Sequence, residues 1–518
     1  MEAAEMKESE KVDPTVDNEE SSSKKKWTST ATISVLFIFL LFLGSFFIFR
    51  IQDTSITEEF HETELKRRHT NSTLRFALNC TNESLAKTCK VNYTQALEPH
   101  ESSDTVCPDY FRWIHEDLRP WKDTGISRDT LEKARSSSNF RLVIVNGRAY
   151  LEKLVPAYQT RDLFTIWGIV QLLRLYPGKV PDLEFMFQCD DIPYIEKKDY
   201  EGPNTTSLPP PPLFQYCGRD SAFAIVFPDW AFWGWPEVNI EVWENMLEGI
   251  INGSKRMEWK KRSPYAFWKG NPDVSPNRKD LMKCKLSYLH DWGARLYSQD
   301  WIHERKHGFK SSKIEDQCKY RYKIYVEGRG WSVSCKYIIG CDSMTLFIKP
   351  TYYDFFMRSL VPLQHYWPIT IQNKCKSIKF AVKWGNKHPE QVQAIGNRGQ
   401  TFIKEDLKME NVYAYMFHLL KEYAKLQRFK PRIPLGAEEL CSESMACRFD
   451  GEIRNLMEDS MVISPSDKGP CVMPPPYDPS ALQSFLEMKE NMTTQVLNLE
   501  KGYWRSKNKK QYLLSSLN

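Results

Sequence analysis

Residues 322–348, YKIYVEGRGWSVSCKYIIGCDSMTLFI, carry the pattern that decides the fold. An apolar run at 322–326 breaks at Gly328 and Gly330, a helix start follows at Ser332 or Ser334, and a second apolar run occupies 345–348. Strand, glycine turn and helix amino terminus are the parts with which backbone N–H groups hold a phosphate, so Gly328, Gly330, Ser332 and Ser334 are candidate contacts for a phosphorylated ligand. Two glycines alone are a weak signal, and the surrounding sequence has to supply the rest.

Outward from this unit the same alternation recurs. Apolar runs at 140–145, 183–187 and 222–227, then 263–269 and 377–382, read as strands. Helical spacing covers 111–118 and 161–175. It returns at 405–426, where Val412, Tyr413, Met416, Phe417, Leu420, Tyr423 and Ala424 share a face, and at 482–499. Helices alternating with short apolar strands predict an α/β protein of two halves facing a crevice, and the proline-rich segment 202–212 reads as a surface loop.

The first half holds the carboxylate pair Asp190-Asp191, at the end of run 183–187 and before Ile192-Pro193. A strand that stops there delivers both to the crevice end of the sheet, although a plain solvated turn fits as well, because Asp favours turns. FPDWAFWGWPE, residues 227–237, packs aromatics and carboxylates around Gly and Pro, which suits a sugar or peptide acceptor at Asp229, Trp230, Trp233 and Trp235 or, equally, a structural corner. FWKGNPDVSPNR, residues 267–278, sets Lys269 and Arg278 about a glycine turn after a strand; cations so placed suit a diphosphate, or are simply solvated. A phosphate-holding half opposite an acidic half describes a nucleotide-sugar enzyme.

Composition places the chain. Residues Trp27 to Phe49 carry no charge over 23 positions, enough to span a bilayer, which needs about 20. We therefore expect a cytosolic tail at 1–26, an anchor at 27–51 and a lumenal stalk at 52–104. Beyond these we expect halves at 105–255 and 256–480 and a terminal helix and tail at 481–518. Asn71, Asn79, Asn82, Asn92, Asn204, Asn252 and Asn491 each begin a glycosylation triplet, and all thirteen cysteines follow the anchor, as suits an oxidising lumen. Thirteen is odd, so at least one thiol is unpaired or bonded to another chain. A formal charge of +5 over 518 residues gives no case for nucleic acid. No Cys-x-x-Cys, His-Glu-x-x-His or EF-hand pattern points to a bound metal, and neither a Walker loop nor Gly-x-Ser-x-Gly is present.

DLEFMFQCDDIP, IVFPDWAFWGWPE, FWKGNPDVSPNR, KIYVEGRGWSVSCKYIIGCDSMTLFIKP and VPLQHYWPI, in this order between Cys107 and Trp504, together resemble the Rumi-type protein O-glucosyltransferases, glycosyltransferase family 90, in their plant membrane-anchored branch. The resemblance implies a GT-B fold of two Rossmann-like domains. It implies an inverting, metal-independent transfer of glucose or xylose from a UDP-sugar, with no cofactor, to a hydroxyl of a lumenal protein or glycan. It puts the catalytic base at Asp191, adds Asn271 to the donor contacts and favours Ser332 among them; Asp190 is cast as support, because adjacent residues need not point the same way. The anchor, the glycosylation triplets and the cysteines lead us to expect a single-pass type II protein of the Golgi or endoplasmic reticulum membrane.

Three positions depart from the plant pattern: Gln188 replaces Asp, Cys335 replaces Glu, and Lys383 replaces Asp. If the acidic residues touch the donor, sugar choice or activity differs here; Cys335 also accounts for the odd thiol. Two other readings stay open: a glycoside hydrolase pairing Asp190 or Asp191 with Asp229 or Glu237, and an impaired lumenal glycan or nucleotide-sugar binder. A metal enzyme using Asp190-Asp191 ranks lower, because the spaced Asp-x-Asp pair is missing.

Overall fold

A computed structural model describes residues 105–201 and 209–515, together with Leu78, Cys80 and Cys89. The uncharged run at 27–49, most of the stalk, and Asn71, Asn79, Asn82, Asn92 and Asn204 lie outside these residues. Among the described residues, no helix is long and apolar enough to cross a membrane.

The chain is a mixed α/β protein built on two large sheets. The first takes β1 (Phe140–Val145), β2 (Arg148–Lys153), β3 (Leu183–Phe187), β4 (Phe214–Gln215) and β5 (Ile225–Val226). The second takes β6 (Ser263–Gly270), β7 (Ala294–Ser298), β8 (Tyr320–Tyr325), β9 (Met344–Ile348) and β10 (Trp367–Ile369). A late strand, β11 (Glu438–Leu440), returns to pair with β2. The helices that matter are α1 (Arg161–Leu175), α2 (Trp243–Lys255), α3 (Pro276–Leu281), α4 (Ser334–Ile339), α5 (Lys374–Lys387), α6 (Met409–Leu426) and α7 (Pro479–Ser515).

The second sheet is parallel throughout, in the order β10-β9-β8-β6-β7. Counted from its own first strand this is 2-1-3-4-5, a doubly wound order whose connections diverge between β6 and β8. Residues 322–348 supply β8, the glycine turn, α4 and β9, as their pattern predicts.

The first sheet departs from the expected Rossmann-like plan. Its order is β11-β2-β1-β3-β4-β5, and β1 runs antiparallel to both β2 and β3. The cause is local: Asn146-Gly147 joins β1 to β2 with φ of 52° and 71°, the two-residue hairpin geometry that Asn-Gly favours. The expected continuous second half, 256–480, is also interrupted. Helix α6 buries Val412, Tyr413, Met416, Phe417, Leu420 and Tyr423 in the core of the first sheet, and β11 follows it there.

Two element assignments change. Residues 377–382 lie inside α5, because the buried positions Lys374, Ser377, Ile378, Ala381 and Gly385 have helical spacing; alternation of Ile378, Phe380 and Val382 mimics a strand. Run 222–227 splits, with Ala222–Phe223 pairing to Ile195–Glu196 and only Ile225–Val226 joining the first sheet.

Five disulfides join Cys80 to Cys447, Cys89 to Cys441, Cys107 to Cys471, Cys284 to Cys375 and Cys318 to Cys341. Cys335 is unpaired, as expected, and so are Cys189 and Cys217; all three are buried.

Candidate active site

A cavity of about 400 Å³ opens where the carboxyl ends of β6 and β8 diverge, within the range of ligand pockets. Lys269, Asn271, Arg278, Gly328, Ser332 and Ser334 line one side; Asp191, Trp230 and Trp235 line the other. The sequence-derived donor and acceptor segments therefore meet in one place.

Arg278 is the centre of the donor side. Ser275 caps α3 by accepting from the Arg278 backbone N–H, which fixes the residue at the cavity wall. Its guanidinium donates to the carbonyls of Glu327 at 3.1 Å and Asn271 at 3.3 Å, and to Ser332 Oγ at 3.1 Å. All these partners are neutral, and among the described residues no carboxylate forms a salt bridge with it. Burial pushes the Arg278 pKa down, with Tyr325 and Asp191 opposing. A desolvated cation without an anion, facing a cavity, is a place for a phosphate. Lys269 is committed differently, because Glu304 takes its Nζ at 3.1 Å. Asn271 spends its side-chain oxygen on the Asp273 N–H.

On the opposite side, strand β3 ends at Phe187 and the chain turns through Asp190 and Asp191. The pair divides its work. Asp190 Oδ1 accepts from the Asp191 N–H at 2.7 Å, Oδ2 accepts from Tyr194 Oη at 2.7 Å, and Arg329 lies 3.4 Å from Oδ1. Asp190 is thus tied into the turn, whereas the Asp191 side chain, 28% exposed, faces the cavity. Asp191 Oδ1 accepts from Arg161 Nη1 at 2.9 Å, and Oδ2 makes no hydrogen bond to the described residues. Arg161, buried at the first position of α1, also reaches the Cys189 carbonyl at 3.2 Å and lies 4.5 Å from the Trp230 ring centre.

Gly330 does not line the cavity; it is where the two sides touch. A β-carbon there would lie 1.5 Å from the Asp191 carbonyl oxygen, which no backbone tolerates. The same oxygen accepts from Cys217 Sγ at 3.2 Å.

Two acceptor assignments are corrected. Asp229 is buried, capping the turn Trp230–Phe232 and gripped by Lys336 Nζ at 2.8 and 3.1 Å, so its carboxylate is spent on joining the aromatic loop to α4. Trp233 is wholly buried against α1, where Gly168 makes room for its ring, and donates to Tyr413 Oη at 2.9 Å. Glu237, the other carboxylate named for a hydrolase, is occupied by the N–H and hydroxyl of Thr160, each at 2.9 Å.

Sequence reasoning missed four cavity residues. Arg161 lay inside a helical pattern with no signal of its own; Arg329 was visible as a cation between two glycines; Trp331 followed it. Lys323, hidden in an apolar strand, is buried, and among the described residues its Nζ donates to Gln317 Oε1 at 3.3 Å and Cys341 Sγ at 3.4 Å. Burial lowers its pKa to about 7. None of Gln188, Cys335 and Lys383 lines the cavity. Gln188 accepts from the Asp190 N–H, Cys335 sits in the core, and Lys383 is on the exposed face of α5.

The model of glycosyl transferase family 90 matches residues 102–500, most of the chain and all of this site. The chain belongs to glycosyl transferase family 90. Among curated proteins, Protein O-glucosyltransferase 1 of Bos taurus and that of Homo sapiens are each 26% identical over 363 residues, 67% of this chain and 88% of theirs. The O-glucosyltransferase rumi homolog of Aedes aegypti is 23% identical over 352 residues, 65% of this chain and 82% of its own. The matched region contains every residue that lines the cavity. Among the described residues, the one cluster with metal-ligand spacing, Cys107, His418 and Cys471, is committed otherwise, as a disulfide with His418 bonded to the Cys471 carbonyl.

Proposed function

We propose that this protein is an inverting, metal-independent glycosyltransferase of GT-B type. It moves glucose or xylose from a UDP-sugar to a hydroxyl group of a lumenal protein, or of a glycan, with Asp191 as the base. The observation that carries the reading is the placement of Asp191 across one cavity from the anion-free Arg278. The relatives' names, protein O-glucosyltransferase, support glucose and a protein acceptor.

The chemistry follows from the side chains. An acceptor hydroxyl is a weak nucleophile until a positioned carboxylate takes its proton, a gain of about 10²–10⁴. Arg161 holds Oδ1 and leaves Oδ2 for that proton. As the sugar carbon departs from the donor, negative charge grows on the β-phosphate. Arg278, with Ser332 and Arg329 at the same wall, meets it without needing to reorganise. Trp235 offers an apolar face to a sugar or peptide beside Asp191, and buried Trp230 backs that wall. The donor lies along Asn271, Gly328, Ser332 and Ser334, and Lys269 with its Glu304 partner shapes that wall.

The hydrolase alternative has lost the second carboxylates it named, since Asp229 and Glu237 are both occupied. Five disulfides, the exposed acceptor positions Asn252 and Asn491, and the uncharged run at 27–49 support a type II protein of the Golgi or endoplasmic reticulum membrane with its catalytic residues lumenal. Incubating the enzyme with UDP-glucose or UDP-xylose and a folded serine-bearing acceptor, in EDTA, tests the reading. Acceptor-dependent release of UDP supports it, and release that requires added divalent metal contradicts the metal-free route.

A further inference from the structure

Beside the crevice, the loop between β2 and α1 presents a tyrosine that the core does not use. Tyr158 is 67% exposed, and Val155 before it is 53% exposed. The loop is nonetheless held firmly. The Asn139 side-chain amide donates to the carbonyls of Val155 and Pro156, each at 3.2 Å, and its oxygen accepts from the Cys189 N–H at 2.7 Å. One asparagine thus fastens the Tyr158 loop to the turn that carries Asp191. Gln159, next in the chain, has a φ of 58°, a left-handed conformation that costs a non-glycine residue energy and persists only where the surroundings enforce it. Its side-chain oxygen takes the Trp235 N–H at 3.0 Å.

The Tyr158 ring centre lies 5.2 Å from the Arg161 guanidinium, and Arg161 in turn holds Asp191, so the ring stands one guanidinium away from the proposed base. Tyr194 closes the other end of the Asp190-Asp191 turn, 42% exposed, with its hydroxyl given to Asp190 at 2.7 Å. The backbone around these rings is already spent. Asn139 takes the carbonyls of Val155 and Pro156, Arg161 and Cys217 take those of Cys189 and Asp191, and Gln215 takes that of Ile192. The N–H groups of Cys189, Asp190, Asp191 and Tyr194 are likewise paired within the chain. An extended peptide laid here gains none of the main-chain hydrogen bonds by which strand edges hold peptides. Tyr158 over its cation, and Trp235 and Tyr194 with their polar tips tied to the protein, have ring faces to offer instead, and those faces match the apolar C–H face of a pyranose.

We propose that the acceptor hydroxyl belongs to a pyranose, and that Tyr158 is the platform for the neighbouring sugar of the same glycan chain, with Tyr194 a second platform across the turn. This rests on Asp191 as the base and chooses the glycan between the two acceptors of that reading, whether the glycan is free or already carried by a protein. Tyr158 is then a positioning residue: it sets the accepting sugar against Asp191 by gripping the sugar beside it, and it takes no part in the chemistry.

The test measures oligosaccharide binding to the full-length protein saturated with UDP, by calorimetry and saturation-transfer NMR. The probes are methyl glycosides and β-1,4-linked hexaoses of xylose, glucose and mannose. A hexaose is expected to bind about tenfold more tightly than its methyl glycoside, the scale of one aromatic stack. Tyr158→Ala abolishes that gain and leaves the affinities for the methyl glycoside and for UDP unchanged, whereas Tyr158→Phe, which keeps the ring, retains it. A tyrosine with only a structural role would weaken both probes together, or neither, and either result overturns the proposal. So does equal affinity for hexaose and methyl glycoside, or binding of none of the probes. Sugar transfer to a folded serine-bearing protein that carries no glycan also overturns it and identifies a polypeptide as the acceptor. Binding is read without turnover, so the result stands apart from whether Asp191 is the base.

Discussion

Gly330 and Asp191 meet backbone to backbone, so closely that a β-carbon on Gly330 would lie 1.5 Å from the Asp191 carbonyl oxygen. The glycine turn of the second sheet is thereby the abutment of the loop that carries Asp191, the proposed base. Gly330→Ala must push that loop aside. Since a displacement of about 1 Å at a reacting group costs about a hundredfold, we expect kcat to fall by that order while UDP affinity changes little. Steady-state kinetics beside calorimetric titration of UDP checks this.

Arg161 holds Asp191 Oδ1 at 2.9 Å, and in the proposed mechanism it orients the base. Arg161→Ala frees Asp191 Oδ1 and removes the cation stacked on Trp230, so kcat falls about ten- to a hundredfold. Arg161→Lys recovers only part, because a lysine ammonium on its shorter stem loses the planar stacking on Trp230 that holds Nη1 between Asp191 and the Cys189 carbonyl. A loss confined to donor KM would contradict this role.

Arg278→Ala removes the half-buried cation proposed to meet the phosphate. The expected result is loss of UDP binding together with a fall in kcat of about 10²–10³, the scale seen for deleting one charge-stabilising donor. Lys269→Ala, by contrast, leaves UDP binding largely intact, because Glu304 already holds that ammonium.

Two tryptophans of the aromatic segment separate stability from acceptor use. Trp233→Ala empties a filled core site and costs about 3–5 kcal/mol, readable as a lower denaturant midpoint. Trp235→Ala, at the cavity wall, raises the acceptor KM with a smaller loss of stability.

Lys323 makes stability depend on pH in a definite direction. Its folded pKa, lowered by burial to about 7, lies below its unfolded value, so between pH 7 and about 10.5 the unfolded chain binds more protons and stability rises with pH. The penalty is complete below pH 7. Lys323→Met is therefore expected to raise the urea midpoint most at pH 7 or lower, with the gain shrinking towards pH 10. A gain independent of pH would show that packing, not charge, is responsible.

Strands β6, β8 and β9 of the second sheet were legible because each is an apolar run with a buried centre, whereas β7 and β10 were not read, β7 being a half-exposed edge strand and β10 only three residues long. The first sheet's plan turned on Asn146-Gly147, a hairpin signal present in the chain but outweighed by the alternation around it. Return of β11 to β2 depends on contacts nearly 300 residues apart, which no local pattern encodes. At the site, Asp191 and Arg278 could be read because each sits at a strand end or glycine turn. Arg161 could not, since inside a helix its pairing is visible only in three dimensions. Asp229 and Trp233 misled for the opposite reason: aromatic density in a loop looks alike whether it lines a cavity or fills a core.

The central claim is that Asp191 is the base of a transfer whose donor is held across the cavity. Asp191→Asn keeps the shape and removes the proton acceptor. Measured by UDP release with saturating acceptor and by UDP titration on the same sample, it is predicted to lose about 10²–10⁴ in turnover with UDP affinity unchanged. Turnover equal to that of the unaltered enzyme would contradict the account.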